Sequence, residues 1–133
     1  MNNRRVFLKS ALAMAAGLSL VGVRKASAES GPFPSNIVYT ADDQGQWKGK
    51  AQTHLPQVTV DGGKVTLQTK HPHSEKHFIV RHTVVTADGK VVGATVFAPS
   101  DTPVSTYEIA EKGEYYATSF CNLHDLWVTK FTV

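Results

Sequence analysis

The side chains with the most chemistry in this sequence are a single cysteine and six histidines. Cys121 and His124 stand three apart in Phe120-Cys121-Asn122-Leu123-His124-Asp125-Leu126-Trp127. A thiolate and an imidazole at that spacing on a tight turn can face one metal ion. The other histidines, His54, His71, His73, His77 and His82, lie upstream, most densely in His71-Pro72-His73-Ser74-Glu75-Lys76-His77. Pro72 keeps His71 out of helical geometry, so this heptad reads as a loop that begins and ends on histidine and can wrap a metal. Taken singly, a histidine-rich loop is often only solvated, and a free cysteine is often a small buried apolar residue. Together with His54, these segments offer one thiolate and four imidazoles to a single ion.

The ends and the composition set the frame for such a site. Asn3-Arg4-Arg5-Val6-Phe7-Leu8-Lys9 is a twin-arginine pattern. An apolar run from Ala11 to Val23 follows, and then the small-x-small sequence Ala26-Ser27-Ala28. The run is short against the roughly 20 residues of a spanning helix, so residues 1–28 read as a twin-arginine export signal. Cleavage is expected after Ala28, with membrane contact only during export and a periplasmic location for the folded chain. Five of the 14 basic residues fall in that segment, which leaves nine against 11 acidic ones. The basic character of the whole chain therefore belongs to the signal, and nothing in residues 29–133 suggests a nucleic-acid surface. About 105 residues make one domain with a modest core. A lone cysteine in an oxidising compartment cannot close an intramolecular disulfide. It is a buried structural thiol, an intermolecular bridge or a metal ligand.

The elements that must position these residues are strands. Residues 29–50, rich in Gly, Pro, Ser, Asp and Gln, read as a leading arm with a short edge strand at Ile37-Val38-Tyr39. Alternating segments at 57–60 and 64–68 flank Asp61-Gly62-Gly63 and predict a hairpin. A second hairpin is expected from His77–Thr86 and Val91–Ala98 about Ala87-Asp88-Gly89-Lys90, with β-branched valines supplying bulk. Strands at 107–109, 114–120 and 126–132 complete the chain. No sustained helical period appears after residue 28. About seven short strands with near-regular turns predict an all-β fold, an immunoglobulin-like antiparallel β-sandwich.

The segments His54-Leu55-Pro56, His71-Pro72 with His77 six positions on, and Cys121-Asn122-Leu123-His124 followed by Leu126-Trp127 resemble the superoxide reductases of the neelaredoxin and desulfoferrodoxin iron-domain family. The likeness spans about Lys50 to Trp127, including the Asp88-Gly89-Lys90 turn and Phe97-Ala98-Pro99. It implies an immunoglobulin-like sandwich. It also implies a mononuclear non-haem iron held by His54, His71, His77 and His124 in a plane, with the Cys121 sulfur as axial ligand. The activity implied is one-electron reduction of superoxide to hydrogen peroxide, with the iron cycling between Fe2+ and Fe3+ and an unidentified electron donor restoring it. A homodimer or homotetramer is implied as well.

This chain departs from that family's pattern at two places. Gln52-Thr53 precedes His54 where the family commonly has Glu-Lys, whose lysine attracts superoxide and whose glutamate can occupy the sixth position. Lys76 is the candidate replacement for the missing cation, with Lys48 and Lys50 nearby in sequence. Asp125 replaces the glycine that usually follows the last histidine. His73 and His82 fall outside the matched pattern: His73 reads as an exposed loop residue, with a place at the mouth of the site as the alternative, and His82 as a strand residue facing solvent or a polar partner. Trp127 is expected to pack in the core near the sulfur. Two other readings remain open. One is a cupredoxin-like electron carrier, against which stands the lack of any methionine beyond Met14. The other is a degenerate member that binds metal without turnover.

Overall fold

Alternation about Asp61-Gly62-Gly63 folds as the first hairpin, in which β1 (Gln57–Asp61) and β2 (Lys64–Gln68) pair from Gln57↔Gln68 to Asp61↔Lys64. A computed structural model describes residues 33–133. The export signal expected over 1–28, its cleavage point and the first residues of the domain lie outside the described residues. The second hairpin joins β3 (Ile79–Thr86) to β4 (Val91–Val96). Gly89 takes a φ of 91° in its turn, a conformation that costs a glycine little. β5 (Val104–Glu108), β6 (Glu114–Cys121) and β7 (Asp125–Thr132) follow.

The strands form two antiparallel sheets, ordered β1-β2-β5 and β4-β3-β6-β7. This is the immunoglobulin-like sandwich expected, with β4 added at the edge of the second sheet. β5 starts three residues earlier than the sequence suggested. β3 starts at Ile79 and leaves His77 in the approach loop. The leading arm carries no full strand at 37–39. Tyr39 alone makes a parallel bridge to Trp127. A 3-10 turn (Gly45–Trp47) and a one-turn helix α1 (Ala51–His54) precede β1. Elements this short show no period in a sequence, which is why they went unpredicted.

Between the sheets the core is layered. Val65, Leu67, Val84, Ile109, Tyr115 and Ala117 form the larger apolar cluster, and Ile79, Phe97 and Cys121 a smaller one. A break in register between Ile79 and Arg81 changes which face the strand presents, so Ile79, opposite Cys121, is buried in that second cluster. A polar layer lies between the two clusters. His82 on β3 is fully buried, with Nδ1 2.8 Å from the Ser105 hydroxyl and Nε2 2.8 Å from that of Thr69. Thr69 in turn lies 2.9 Å from the Ser119 hydroxyl. Both ring nitrogens thus have partners, which removes the cost of burying them. His82 therefore meets polar partners and not solvent. The sheets also close tightly over β4: a side chain at Gly93 would come within 2.6 Å of the Tyr107 ring, whose hydroxyl is 2.8 Å from Thr95 Oγ1.

Gly93→Ala should lower stability in denaturant unfolding by about 1–3 kcal/mol, the range for overpacked cores. His82 makes a pH prediction. Burial, with a smaller contribution from His73, lowers its pKa from 6.5 to about 4. The fold accepts only the neutral ring, so this stability is fully present above pH 6.5 and is lost as pH falls towards 4. The loss is about 3 kcal/mol by linkage. Between pH 7 and 4, metal-free His82→Gln should lose less stability than the wild type, by roughly that amount, in unfolding measured across the range.

Candidate metal centre

Three segments at one end of the sandwich carry the five candidate ligands. α1 presents His54, whose Nδ1 lies 3.0 Å from the Lys50 carbonyl and 2.8 Å from Thr53 Oγ1. A carbonyl only accepts, so Nδ1 carries the proton and the Nε2 lone pair is free to bind a metal. The chain leaving β2 tightens at once, with the His71 N–H donating to the Thr69 carbonyl at 2.8 Å. A turn from Ser74 to His77, closed by backbone hydrogen bonds of 2.9 and 3.2 Å, returns the loop on itself. The rings of His71 and His77 meet there, Nε2 to Nε2, at 3.0 Å. The third segment is the β6–β7 hairpin, whose last strand pair is Cys121↔Asp125. Its three-residue loop brings His124 beside the cysteine.

The donor atoms converge. His54 Nε2 is 3.2 Å from His124 Nδ1, and His124 Nδ1 is 3.0 Å from His77 Nε2. With His71 joined to His77, four imidazole nitrogens follow one another in a chain of short steps. The His54 and His71 rings, at its two ends, lie 4.7 Å apart centre to centre. Cys121 Sγ lies 3.6 Å from His124 Nδ1 and 3.9 Å from His71 Nε2. One ligand atom each from His54, His71, His77 and Cys121 lies within 4.8 Å of all the others. Adjacent nitrogens bound at about 2.1 Å to one ion sit about 3 Å apart, so these spacings fit a single shared metal.

The electrostatics agree. Burial lowers the pKa of His54 to about 4, with the charges of His124, His77 and Lys50 acting the same way. His71 is lowered to about 4, first by burial and then by His54, His77 and His73. His124 is lowered too, by burial and then by Lys50 and His77. Unprotonated imidazoles are the form that binds metal. Burial raises the pKa of the Cys121 thiol, while the backbone N–H groups of Leu123 and His124 oppose the rise. A bound cation would supply the positive charge that a buried thiolate needs.

The structure thus brings together four of the expected residues, His54, His71, His77 and Cys121, and sets His124 Nδ1 3.0–3.6 Å from three of them. Lys76 is exposed, and its carbonyl accepts a hydrogen bond from Asn122 Nδ2 at 3.0 Å. The lysine whose charge acts on His54, His124 and Cys121 is Lys50. His73, expected as an exposed loop residue, is half-buried and accepts the Ile79 N–H at 3.0 Å. Trp127 is fully buried as expected, and its indole N–H donates to the His124 carbonyl at 2.8 Å.

Sequence reasoning missed three supporting residues. Asn122 sits within the Cys-x-x-His turn and reaches across to both sides of His77, holding the Lys76 carbonyl and the Phe78 N–H. Trp47 lies edge-on to His124 at 4.7 Å. Asp125 accepts the Trp47 indole N–H at 2.9 Å. Asn122 lies within a motif already noticed and Asp125 directly follows it, whereas Trp47 stands in an arm with no periodic signal.

Known proteins share this arrangement of sequence and fold. A superoxide reductase of Pyrococcus abyssi is 27% identical over 100 residues, covering 62% of this chain and 87% of the relative. One from Thermococcus kodakarensis is 26% identical over 106 residues, covering 67% and 92%. Among solved structures, a variant of the superoxide reductase (neelaredoxin) of Ignicoccus hospitalis superposes with a TM-score of 0.64 at 25% identity, over 76% of this chain and 98% of that one. The family model described as desulfoferrodoxin matches residues 46–130, from the 3-10 turn through nearly all of β7. By that match, which takes in well over half of its length, the chain belongs to the desulfoferrodoxin family.

Proposed function

We propose that this protein is a superoxide reductase with a mononuclear iron site held by His54, His71, His77, His124 and Cys121. The observation that carries the proposal is the convergence of four imidazole nitrogens, in steps of 3.0–3.2 Å, with one buried thiol beside them. Iron bound there would supply the single electron that, with two protons, converts superoxide to hydrogen peroxide. The residues prepare the place for it. Lys50 and Thr53 orient the His54 ring, and Asn122 ties the His77 loop to the cysteine turn. Burial keeps the imidazoles neutral, and the amides of Leu123 and His124 favour the thiolate.

Thr53 stands where the resemblance expects the lysine that draws in superoxide, and its hydroxyl lies 3.2 Å from the Lys50 carbonyl and 2.8 Å from the His54 ring. Lys50 and Lys76 are the cations we assign to raising the local concentration of the anion. Lys50 has the larger share because its charge reaches the ligands. A blue-copper carrier needs two histidines and a cysteine, which leaves two of the converging imidazoles without a role.

The twin-arginine pattern suggests that the chain is exported after folding, to the periplasm. Iron could then be taken up before the site meets copper and zinc, which bind such donors more tightly than Fe2+.

Purified protein should bind one iron per chain, and the oxidised form should show a sulfur-to-iron charge-transfer band. Cys121→Ser should lose that band, and a surviving band would remove Cys121 from the ligand set. Lys50→Ala should slow superoxide reduction about tenfold and flatten its dependence on ionic strength. Lys76→Ala should have the smaller effect in the same stopped-flow assay.

A further inference from the structure

Asp125 begins β7 with a φ of 68°, in the left-handed region where glycine is the easy choice. Aspartate tolerates this conformation better than most residues, but tolerance alone would leave its carboxylate in water. Instead Oδ2 accepts the Trp47 indole N–H at 2.9 Å and lies 3.4 Å from the Tyr39 hydroxyl. That hydroxyl also accepts from Gln46 Nε2 at 3.2 Å. The donors come from the leading arm, where Gln46 lies in the same turn as Trp47. Tyr39 itself is fixed by backbone bonds, its N–H to the Leu126 carbonyl at 2.9 Å and its carbonyl from the Val128 N–H at 2.8 Å. Gly45, at a φ of 45°, allows the turn, since a side chain there would strike Asn36 and the Tyr39 ring.

The grip ends on a candidate ligand. Trp47, held by its indole N–H, lies against His124 with ring centres 4.7 Å apart and planes at 87°. On its other side, the backbone of His124 is held through its carbonyl by Trp127. The imidazole is thus set by two indoles, one on the ring and one on the backbone. Only the first depends on the residue at 125.

We propose that Asp125 is a positioning residue for the metal centre: by gripping Trp47 it fixes the ring of His124 toward the shared donor point. This rests on the metal-site reading above. It assigns a role to the leading arm, most of which lies ahead of the family match at residue 46. It also gives the aspartate at this hairpin position a use: its carboxylate takes up two part-buried donors of the arm.

The test uses Asp125→Gly, Asp125→Asn and Trp47→Phe. Glycine suits the positive φ, so the hairpin keeps its backbone while the grip is lost. Asparagine keeps an acceptor oxygen, and phenylalanine keeps a ring but loses the donor. In the metal-free protein, the Trp47 indole N–H should exchange faster with solvent in Asp125→Gly and keep its protection in Asp125→Asn. With Co2+ as the probe, Asp125→Gly and Trp47→Phe should each weaken binding about 10- to 100-fold, the range for residues that orient a ligand. Both should shift the visible ligand-field bands alike. The double variant should be no worse than either single one, and Asp125→Asn should restore most of the affinity. Wild-type affinity and spectrum in Asp125→Gly, or additive losses in the double variant, would overturn the proposal while leaving the metal site intact. A wild-type protein that takes up no Co2+ and no iron would overturn the site and this role together.

Discussion

Five electron-pair donors must be held close together, mostly out of water, with no protein cation among them. Everything else at this end of the molecule answers that constraint. Neutral imidazole nitrogens 3.0–3.2 Å apart gain little from one another beyond whatever hydrogen bonds their tautomers allow. A buried thiol next to them resists ionisation. The arrangement is therefore unfavourable by itself and must be imposed by the fold. The means of imposing it are local and rigid: a one-turn helix closed on the Lys50 carbonyl, a loop folded back between Ser74 and His77, and a short hairpin loop. Asn122 fastens the last two to each other. The free energy stored in bringing the donors together is returned when a cation binds them, which couples metal affinity to the stability of the hairpin and the loop.

The core below the site follows from the same need. Cys121 belongs to the apolar cluster with Ile79 and Phe97, so its sulfur faces the ligands from a dry floor. Beneath that floor lies the polar layer of His82, Thr69, Ser105 and Ser119, and only then the main core. Hydroxyls and an imidazole fit together in one geometry, where aliphatic side chains accept several. The polar layer ties β3, β5 and β6 in fixed register just below the donors. Thr69 is part of it, two residues before His71. Its carbonyl makes the tight turn that aims His71, so the buried layer and the ligand share a short piece of chain.

Much of this was legible in the sequence, for identifiable reasons. The strands announce themselves because a sheet with one buried face alternates every second residue. The hairpins do so because Asp-Gly and Gly-Gly belong in tight turns. The candidate donors were legible because thiol and imidazole are rare here and Cys121 and His124 stand close together, whereas the choice of five among seven came only with the family resemblance. What escaped depends on contacts distant in the chain. Trp47 and Asp125 are 78 positions apart, and neither shows its partner in local sequence. The role of His82 escaped for a similar reason: its partners lie on other segments, and an isolated histidine in a strand looks the same whether it faces water or a hydroxyl. The break in register at Ile79 could not be read because a run of Phe-Ile-Val-Arg fits either face.

The two departures from the pattern that the resemblance implies differ in how far their effects must reach, and the physics explains why each can be borne. Coordination fails when a donor moves by a few tenths of an ångström, so ligand positions cannot migrate along the chain. Attraction of an anion by a lysine falls off only as the inverse of distance, and screening in ordinary salt sets in at about 8–10 Å. A cation can therefore leave residue 53 and act from residue 50 on the same turn. Thr53 is then free to hold the His54 ring. The exchange at residue 125 is of the other kind, because it touches a ligand's neighbour. Aspartate in place of the glycine that the resemblance expects there adds a charge beside His124 and Cys121, and two donors from the arm meet it. Aspartate at 125 and the indole at 47 thus belong to one solution: the carboxylate needs the arm as much as the arm needs the carboxylate.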